Sequence, residues 1–164
     1  MGTYNRWSKY LVLFAFSTAL LFSCSGNDRQ FDTLYLYLDN EPKGLDPALS
    51  TDFGTGQICA LLFDNLVRFG KSTDLKPGIA KSWGVSEDGL TYTFRLHEGF
   101  RFSNGTEITA SVVKASMERV LDPETRSLRT WLFTPIQGAK AYMDGKAVEV
   151  TGIQSDNPYQ ITIT

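Results

Sequence analysis

The sequence is poor in the residues that catalysis and metal binding use most often. Its 164 residues include one histidine, His97, and two cysteines, Cys24 and Cys59. Three such side chains are too few for a typical four-ligand zinc site, and no Gly-x-Ser-x-Gly element accompanies His97. A phosphate-binding glycine loop is also missing. We therefore expect neither an enzyme nor a bound cofactor or metal.

Positive charge is scarce as well. Lysine and arginine together number 16 against 18 acidic residues, which gives a formal net charge of −2 at pH 7. No lysine and arginine cluster is present that would form a stripe for a phosphate backbone. Nucleic acid is therefore excluded as an expected partner.

The amino terminus is the most apolar part of the chain. Arg6 and Lys9 precede an apolar or small run over residues 10–22. This layout is typical of a secretory signal. The run is shorter than the about 20 apolar residues that a membrane-spanning helix needs. A buried helix of a globular domain is the alternative interpretation.

The end of this run resembles the bacterial lipoprotein signal. Leu21 stands three residues before Cys24, although Phe22 occupies a position that is usually small. The resemblance implies cleavage before Cys24 and attachment of lipid to its thiol, and two or more acyl chains anchor a protein stably. The alternative role of Cys24 is a disulfide with Cys59. If Cys24 is acylated, we expect Cys59 to be a small buried hydrophobe.

These features divide the chain into three parts. Residues 1–23 are predicted to be a lipoprotein signal peptide, and residues 24–32 a lipidated tether that is polar near Cys24. Residues 33–164 are predicted to form the folded portion, whose length suits one domain.

The folded portion alternates between strand-like and helix-like patterns, which predicts a mixed α/β fold. Thr109 is a favourable N-cap and Asp122-Pro123 a stop signal for one of the helices. The predicted helices are Gly56–Val67, Ala110–Leu121 and Gly138–Met143. The predicted strands are Leu34–Leu38, Thr91–Leu96, Val148–Ile153 and Tyr159–Thr164. The predicted turns include Lys76-Pro77-Gly78, Glu87-Asp88-Gly89 and Asp156-Asn157-Pro158.

Six segments, taken in order, resemble the peptide-type solute-binding proteins of ABC importers, the oligopeptide and dipeptide receptors of extracellular solute-binding protein family 5. They include Leu45-Asp46-Pro47 and the Glu87-Asp88-Gly89 turn before an aromatic strand. The segments are residues 41–48, 62–67, 75–83, 86–99, 100–105 and 109–116, the last followed by Arg119. Most of these residues are expected to be structural, and the aromatic ones to supply core area.

The resemblance implies a periplasmic-binding-protein type II-like α/β fold, with only its N-terminal part present: the start of lobe I and the extra subdomain of peptide-type receptors. Family members are several times longer and close two lobes around the ligand. The implied partners are a peptide ligand, the permease subunits of an ABC transporter and a membrane reached through the lipid anchor. The implied protein is a monomer in the cell envelope that faces the periplasm or the cell exterior.

The same resemblance implies a ligand site, since family receptors bind extended peptides largely through backbone hydrogen bonds. The segment after the first strand and the segment after Asp122-Pro123-Glu124-Thr125 are expected to approach the cleft. The implied ligand-binding residues are Asn40, Glu41, Pro42, Lys43, Arg129 and Trp131. The alternatives are a surface loop for Glu41, a surface charge for Arg129 and a core aromatic for Trp131. An aromatic residue stands in oligopeptide receptors where this chain has Arg129, so the ligand class stays open.

Capture of peptides for an ABC importer is the function that the resemblance favours. A relative that takes nickel, haem or a saccharide is an alternative, because the same fold serves all of these ligands. A stand-alone structural envelope lipoprotein and a lipid-anchored envelope enzyme are two further alternatives, although no catalytic pair supports the last.

Overall fold

The computed structural model describes residues 35–38 and 40–164. The chain divides into two compact units, Met1–Tyr37 and Leu38–Thr164. The predicted signal peptide and Cys24 lie outside the described residues. Residues 35–38 form no strand, so the strand predicted at Leu34–Leu38 is wrong for those four positions. All strands of the described residues pair with one another.

The unit Leu38–Thr164 contains three α-helices and six strands among its described residues. The helices are α1 (Phe53–Leu62), α2 (Ala110–Leu121) and α3 (Ala139–Met143). The strands are β1 (Val67–Phe69), β2 (Leu75–Pro77), β3 (Ala80–Val85), β4 (Tyr92–Leu96), β5 (Ile153–Asn157) and β6 (Gln160–Ile163). Single 3₁₀ turns follow α2 at Pro123–Thr125 and Thr130–Leu132.

The strands form two antiparallel sheets. β1 and β2 make a two-stranded sheet, and the other four strands are ordered β3-β4-β6-β5. The aromatic strand predicted at Thr91–Leu96 is confirmed as β4, which lies in the middle of the larger sheet between β3 and β6. Gly89 takes a positive φ of 73° in the turn before β4, a conformation that glycine adopts readily.

Helix α2 packs against this sheet and has the bounds that the sequence predicts. It begins after Thr109 and ends at Leu121, just before Asp122-Pro123. Thr109 does not cap the helix with its side chain, because its hydroxyl bonds to the Ser111 hydroxyl at 2.9 Å instead. The fully buried core joins α2 to the sheet and to α3. Its largest apolar members are Leu96, Leu121, Val150, Ile153 and Ile161.

Helix α1 differs from its predicted bounds at both ends. Asp52 is its N-cap, so the helix begins at Phe53 rather than Gly56, and it ends at Leu62. The predicted apolar face is not covered either, since Leu61 and Leu62 are each 59% exposed and the buried side chains are Thr55 and Cys59. The last residue of the predicted helix, Val67, instead begins β1.

Three other local predictions are wrong. Asp156 and Asn157 are the end of β5 rather than part of a turn, and the turn consists of Pro158 and Tyr159. Lys76 and Pro77 belong to β2 rather than to a turn, and Pro77 pairs with Val67 at the end of a two-stranded sheet, where a missing N–H is tolerated. The strand predicted at Val148–Ile153 is not formed before Ile153. Val150 N–H donates to the Glu118 carboxylate at 2.8 Å and Gly152 N–H to the Gln137 carbonyl at 2.8 Å, so these groups are unavailable for a strand ladder.

The remaining helix prediction is confirmed. Helix α3 spans Ala139–Met143 and follows Gly138, which has a φ of 82°. Among the described residues, no helix combines the length and apolar character that crossing a membrane requires.

Candidate functional site

The first predicted ligand-binding segment, residues 40–43, lies close to the start of α1 at Asn40. A side-chain carbon at Gly54, in the first turn of that helix, would lie 3.5 Å from the Asn40 carbonyl oxygen. Asn40, Glu41 and Lys43 are exposed, and Pro42 is half-buried. Three of the four residues therefore keep side chains in solvent, which is compatible with both the ligand and the surface-loop interpretations.

Asp52 holds the start of α1 in place. Its carboxylate accepts hydrogen bonds from the Thr55 amide and the Thr55 hydroxyl, both at 2.8 Å. These bonds, the amide bond first, hold the pKa of Asp52 below its usual value, and the charge of Lys43 acts in the same direction. A charged N-cap also interacts favourably with the helix dipole.

The loop that follows residues 40–43 is tied to the end of α2 by an ion pair. Arg119 Nη1 donates to Asp46 Oδ1 at 3.0 Å, and Arg119 Nη2 donates to the other carboxylate oxygen. This two-point geometry suits a guanidinium and a carboxylate. The Arg119 hydrogen bond is the main reason that the pKa of Asp46 lies below its usual value, and the Ala48 amide, 3.0 Å from Oδ1, adds to it.

The same loop is tied to the second predicted ligand-binding segment. The Ser127 hydroxyl donates to the Ala48 carbonyl at 2.6 Å and accepts from the Arg129 amide at 3.1 Å. Arg129 Nε donates to the Ser50 carbonyl. The Arg129 side chain is therefore a structural tie within the described residues rather than only a surface charge.

Trp131 lies in the 3₁₀ turn Thr130–Leu132, two residues beyond Arg129. Its side chain is 67% exposed, so the core-aromatic alternative for Trp131 is wrong within the described residues. Thr134 donates its hydroxyl to the Trp131 carbonyl at 3.1 Å, which supports the turn. Leu49 lies between Ala48 and Ser50, and Leu128 lies between Ser127 and Arg129. Both leucines are also exposed.

The structure thus links the two predicted segments through residues 46–50. Arg129 is held by this loop, Trp131 lies two residues beyond Arg129, and residues 40–43 lie shortly before the loop in the chain. Sequence reasoning did not predict Asp46, Ser127 and Arg119 as site-supporting residues. Asp46 and Arg119 both belong to the resemblance segments, but nothing local in the sequence pairs two residues 73 positions apart.

The described residues offer no evident metal chemistry: they contain no group of three or more His, Cys, Asp or Glu that could hold an ion. His97 is exposed and stacks on Phe100 with ring centroids 6.3 Å apart. Cys59 is buried, and its thiol lies 3.7 Å from the Leu45 carbonyl, which confirms its predicted burial.

Similarity to known proteins agrees with this architecture. Residues 74–164 match the family model described as "Bacterial extracellular solute-binding proteins, family 5 Middle". A dipeptide-binding protein of Bacillus subtilis (strain 168) is 32% identical over 134 residues, which cover 79% of this chain and 24% of that protein. A glutathione-binding protein of Escherichia coli (O1:K1 / APEC) is 32% identical over 141 residues, or 86% of this chain and 27% of that protein.

A solved structure shares the fold. The crystal structure of a periplasmic oligopeptide-binding protein from Borrelia burgdorferi aligns with a TM-score of 0.73 and 34% identity, covering 77% of this chain and 26% of that one. The predicted α/β fold of a periplasmic binding protein, present in part, is confirmed. The chain spans about a quarter of the length of the relatives that it matches. It belongs to the bacterial extracellular solute-binding proteins, family 5.

Proposed function

We propose that this chain is part of a substrate-binding lipoprotein of an ABC importer, which captures peptides outside the cytoplasm and delivers them to the permease subunits. Membership of the solute-binding family carries the proposal. The relatives named for dipeptide, glutathione and oligopeptide binding support a peptide as the ligand. The exposed side chains beside the 46–50 loop are consistent with a surface that is free to meet a ligand.

The ligand would contact residues 40–43 on one side and the segment containing Arg129 and Trp131 on the other. An extended peptide pairs its backbone with protein backbone, so affinity depends little on its side chains. Trp131 offers a large apolar face for a ligand side chain, while Lys43 and Glu41 offer opposite charges for its termini. The guanidinium of Arg129 would act mainly through its bond to the Ser50 carbonyl.

The receptor would be longer than this chain, with residues 33–164 forming its N-terminal portion and further sequence closing the cleft. The observation behind this is that the chain spans about a quarter of its relatives. The in-frame coding sequence beyond Thr164 gives the direct test, together with titration of the purified 164-residue chain. Saturable peptide binding by the 164-residue chain alone would contradict the proposal.

The ligand class is tested with the longer receptor. Purified protein is denatured and the released material is identified by mass spectrometry, and binding of dialanine, trialanine, pentaalanine and glutathione is measured by calorimetry. We expect peptides in the released fraction and saturable binding of at least one probe. Release of only metal, haem or saccharide, with no peptide binding, would overturn the peptide assignment.

The ligand-binding residues are tested by exposed-residue variants of the longer receptor. Trp131→Ala and Lys43→Ala should each raise the peptide Kd by about five- to fiftyfold, which corresponds to about 1–2 kcal/mol. Val148→Ala and Lys71→Ala are matched controls, because both side chains are exposed and lie outside the two segments. Equal affinities for wild-type and both site variants would remove these residues from the site.

The membrane anchor is proposed at Cys24, with residues 1–23 as the cleaved signal and 24–32 as the tether. Cys24→Ala should remain an unprocessed precursor without an acyl chain, whereas Cys59→Ala should be processed and acylated like the wild-type protein. Labelling with a radioactive fatty acid should mark the wild-type protein and not Cys24→Ala. A Cys24→Ala protein that still incorporates the fatty acid would contradict the lipid anchor.

A further inference from the structure

The 46–50 loop meets the end of α2 and the segment beyond it at three successive points. Arg119 holds Asp46, Ser127 holds Ala48, and Arg129 holds Ser50. The three loop residues, Asp46, Ala48 and Ser50, are spaced two apart. Their partners Arg119, Ser127 and Arg129 occur in the same order along the chain. We call this set of contacts the loop tie.

The inner part of the loop tie is sheltered from water. Ser127 is 8% exposed, and Ala48 and Ser50 are similarly buried. The Ser127 hydroxyl donates to the Ala48 carbonyl and accepts from the Arg129 amide. This one side chain therefore joins the loop to the segment that contains Ser127 and Arg129. Buried polar contacts of this kind are specific, because a displaced partner leaves an unpaired group in the interior.

The outer part is the exposed Asp46–Arg119 pair. Its side chains are 31% and 52% exposed, so water competes with the interaction. The pair nevertheless constrains direction, because both guanidinium nitrogens engage the two carboxylate oxygens. Asp46 lies only three residues after Lys43, and Arg129 two before Trp131, so the loop tie is adjacent in sequence to both proposed ligand-binding segments.

We propose that Asp46, Arg119 and Ser127 are positioning residues that set ligand affinity by holding residues 40–43 and 129–131 at a defined separation. The proposal rests on the function proposed above and adds residues that do not touch the ligand. A binding surface whose two sides are already ordered loses less conformational entropy when the ligand binds. Release of the loop tie therefore lowers affinity even where the ligand contacts are intact.

The first test needs no ligand. Hydrogen exchange of the 164-residue chain is followed by mass spectrometry for wild-type, Arg119→Gln and Ser127→Ala. Faster exchange is expected in peptides covering residues 40–50 and 126–132, with unchanged exchange in β4. Glu149→Gln, which breaks the Lys114–Glu149 ion pair on another part of α2, is the control and should not affect these peptides. Unchanged exchange in both variants would overturn the loop tie, whether or not the receptor binds peptide.

The second test uses the longer receptor and the alanine peptides and glutathione. Asp46→Arg and Arg119→Asp should each raise Kd by about three- to tenfold, and the double exchange should bring Kd back to within about twofold of wild type. Recovery in the double variant distinguishes positioning from loss of folding. Single variants that are folded and bind as tightly as wild type would overturn the positioning role. A wild-type receptor that binds no peptide would instead contradict the proposed function.

Discussion

Arg119, in the last turn of α2, donates hydrogen bonds to both carboxylate oxygens of Asp46, which lies 73 residues earlier in the chain. The pair joins the loop that follows residues 40–43 to helix α2. The chain beyond α2 leads to Trp131. It therefore connects the two segments that the family resemblance assigns to the ligand. The contact also depends on the charge of Asp46, since the hydrogen bond from Arg119 holds the pKa of this carboxyl below its usual value.

The first prediction concerns acid stability. A carboxylate with a lowered folded-state pKa contributes stability above its unfolded pKa of about 3.9, and this is lost as the pH falls through the folded value. Thermal unfolding of Asp46→Asn should therefore differ from wild type at pH 7 and converge with it toward pH 3. The difference should be small, because exposed ion pairs contribute little.

The control is Asp156→Asn, which removes the same charge at an exposed position that makes no ion pair with a described residue. A difference between Asp46→Asn and wild type that persists undiminished at pH 3 would contradict the assignment.

The second prediction concerns Gly78, where two chain segments approach closely. A side-chain carbon at Gly78 would lie 2.2 Å from the Asn65 carbonyl oxygen, and Gly78 N–H donates to the Leu66 carbonyl at 3.2 Å. Because backbone must move, Gly78→Ala should reduce the free energy of unfolding by about 1–3 kcal/mol. Gly84→Ala is the control, since nothing lies within 4 Å of that position. It should change stability by less than about 1 kcal/mol. Denaturant unfolding would measure both, and equal stabilities of the two variants would contradict the close approach.

The third prediction concerns the core beneath α2. Leu121 is 0% exposed, so Leu121→Ala should lower the free energy of unfolding by about 2–5 kcal/mol through lost burial and the cavity that remains. Leu90→Ala makes the same chemical change at an exposed position and should alter stability by no more than about 0.5 kcal/mol. Urea titration would measure the free energies of unfolding of both variants, which can be compared directly where the m-values are equal. A loss below about 1 kcal/mol for Leu121→Ala would show that the site is not a packed core position.

The fourth prediction concerns Tyr159, the residue that immediately precedes β6. Its hydroxyl donates to Glu107 Oε1 at 3.0 Å, and the same oxygen accepts from the Gly99 amide at 3.0 Å. The hydrogen bond to Glu107, followed by the charge of that carboxylate, raises the pKa of Tyr159. A raised pKa gives stability that is present below the ordinary tyrosine value of about 10 and is lost above it.

Tyr159→Phe should therefore lower the melting temperature at pH 7 and lose less stability than wild type as the pH rises beyond 10. Tyr92→Phe is the control, because the hydroxyl of Tyr92 makes no hydrogen bond to another described residue and the ring is also partly exposed. Melting curves between pH 7 and 11 would provide the measurement. The same alkaline slope in wild type and Tyr159→Phe would contradict this role of the hydroxyl.

Local chemistry accounts for the elements that the sequence predicted well. Helix α2 has its predicted bounds because Thr109 and Asp122-Pro123 mark both ends within a few residues of the helix itself. Strand β4 follows a turn at Gly89 and alternates apolar with polar side chains, so its period is visible without a partner. Helix α1 begins earlier than predicted because the Asp52 cap starts it before Gly54 and Gly56, two residues that by themselves disfavour a helix.

The predictions that failed depended on partners elsewhere in the chain. Residues 148–152 have an apolar, β-branched pattern, yet Val150 N–H is taken by Glu118 of α2 and Gly152 N–H by Gln137. Lys76 and Pro77 become strand because Val67 and Arg68 lie beside them. Periodicity describes which residues prefer burial, but the ladder partner decides whether a strand forms.

By itself the sequence determined the family, the α/β class, the bounds of α2 and the segments expected to meet a ligand. The bounds of α2 follow from local signals, the family from six short segments in order, and the expected ligand-binding segments from the family resemblance. Only the tertiary structure decided that Asp46 pairs with Arg119, that Ser127 holds Ala48, and that Arg129 bonds to the Ser50 carbonyl. The reason is that contacts across more than 70 residues depend on how α2 and the sheet bring distant segments together, and no local pattern records that geometry.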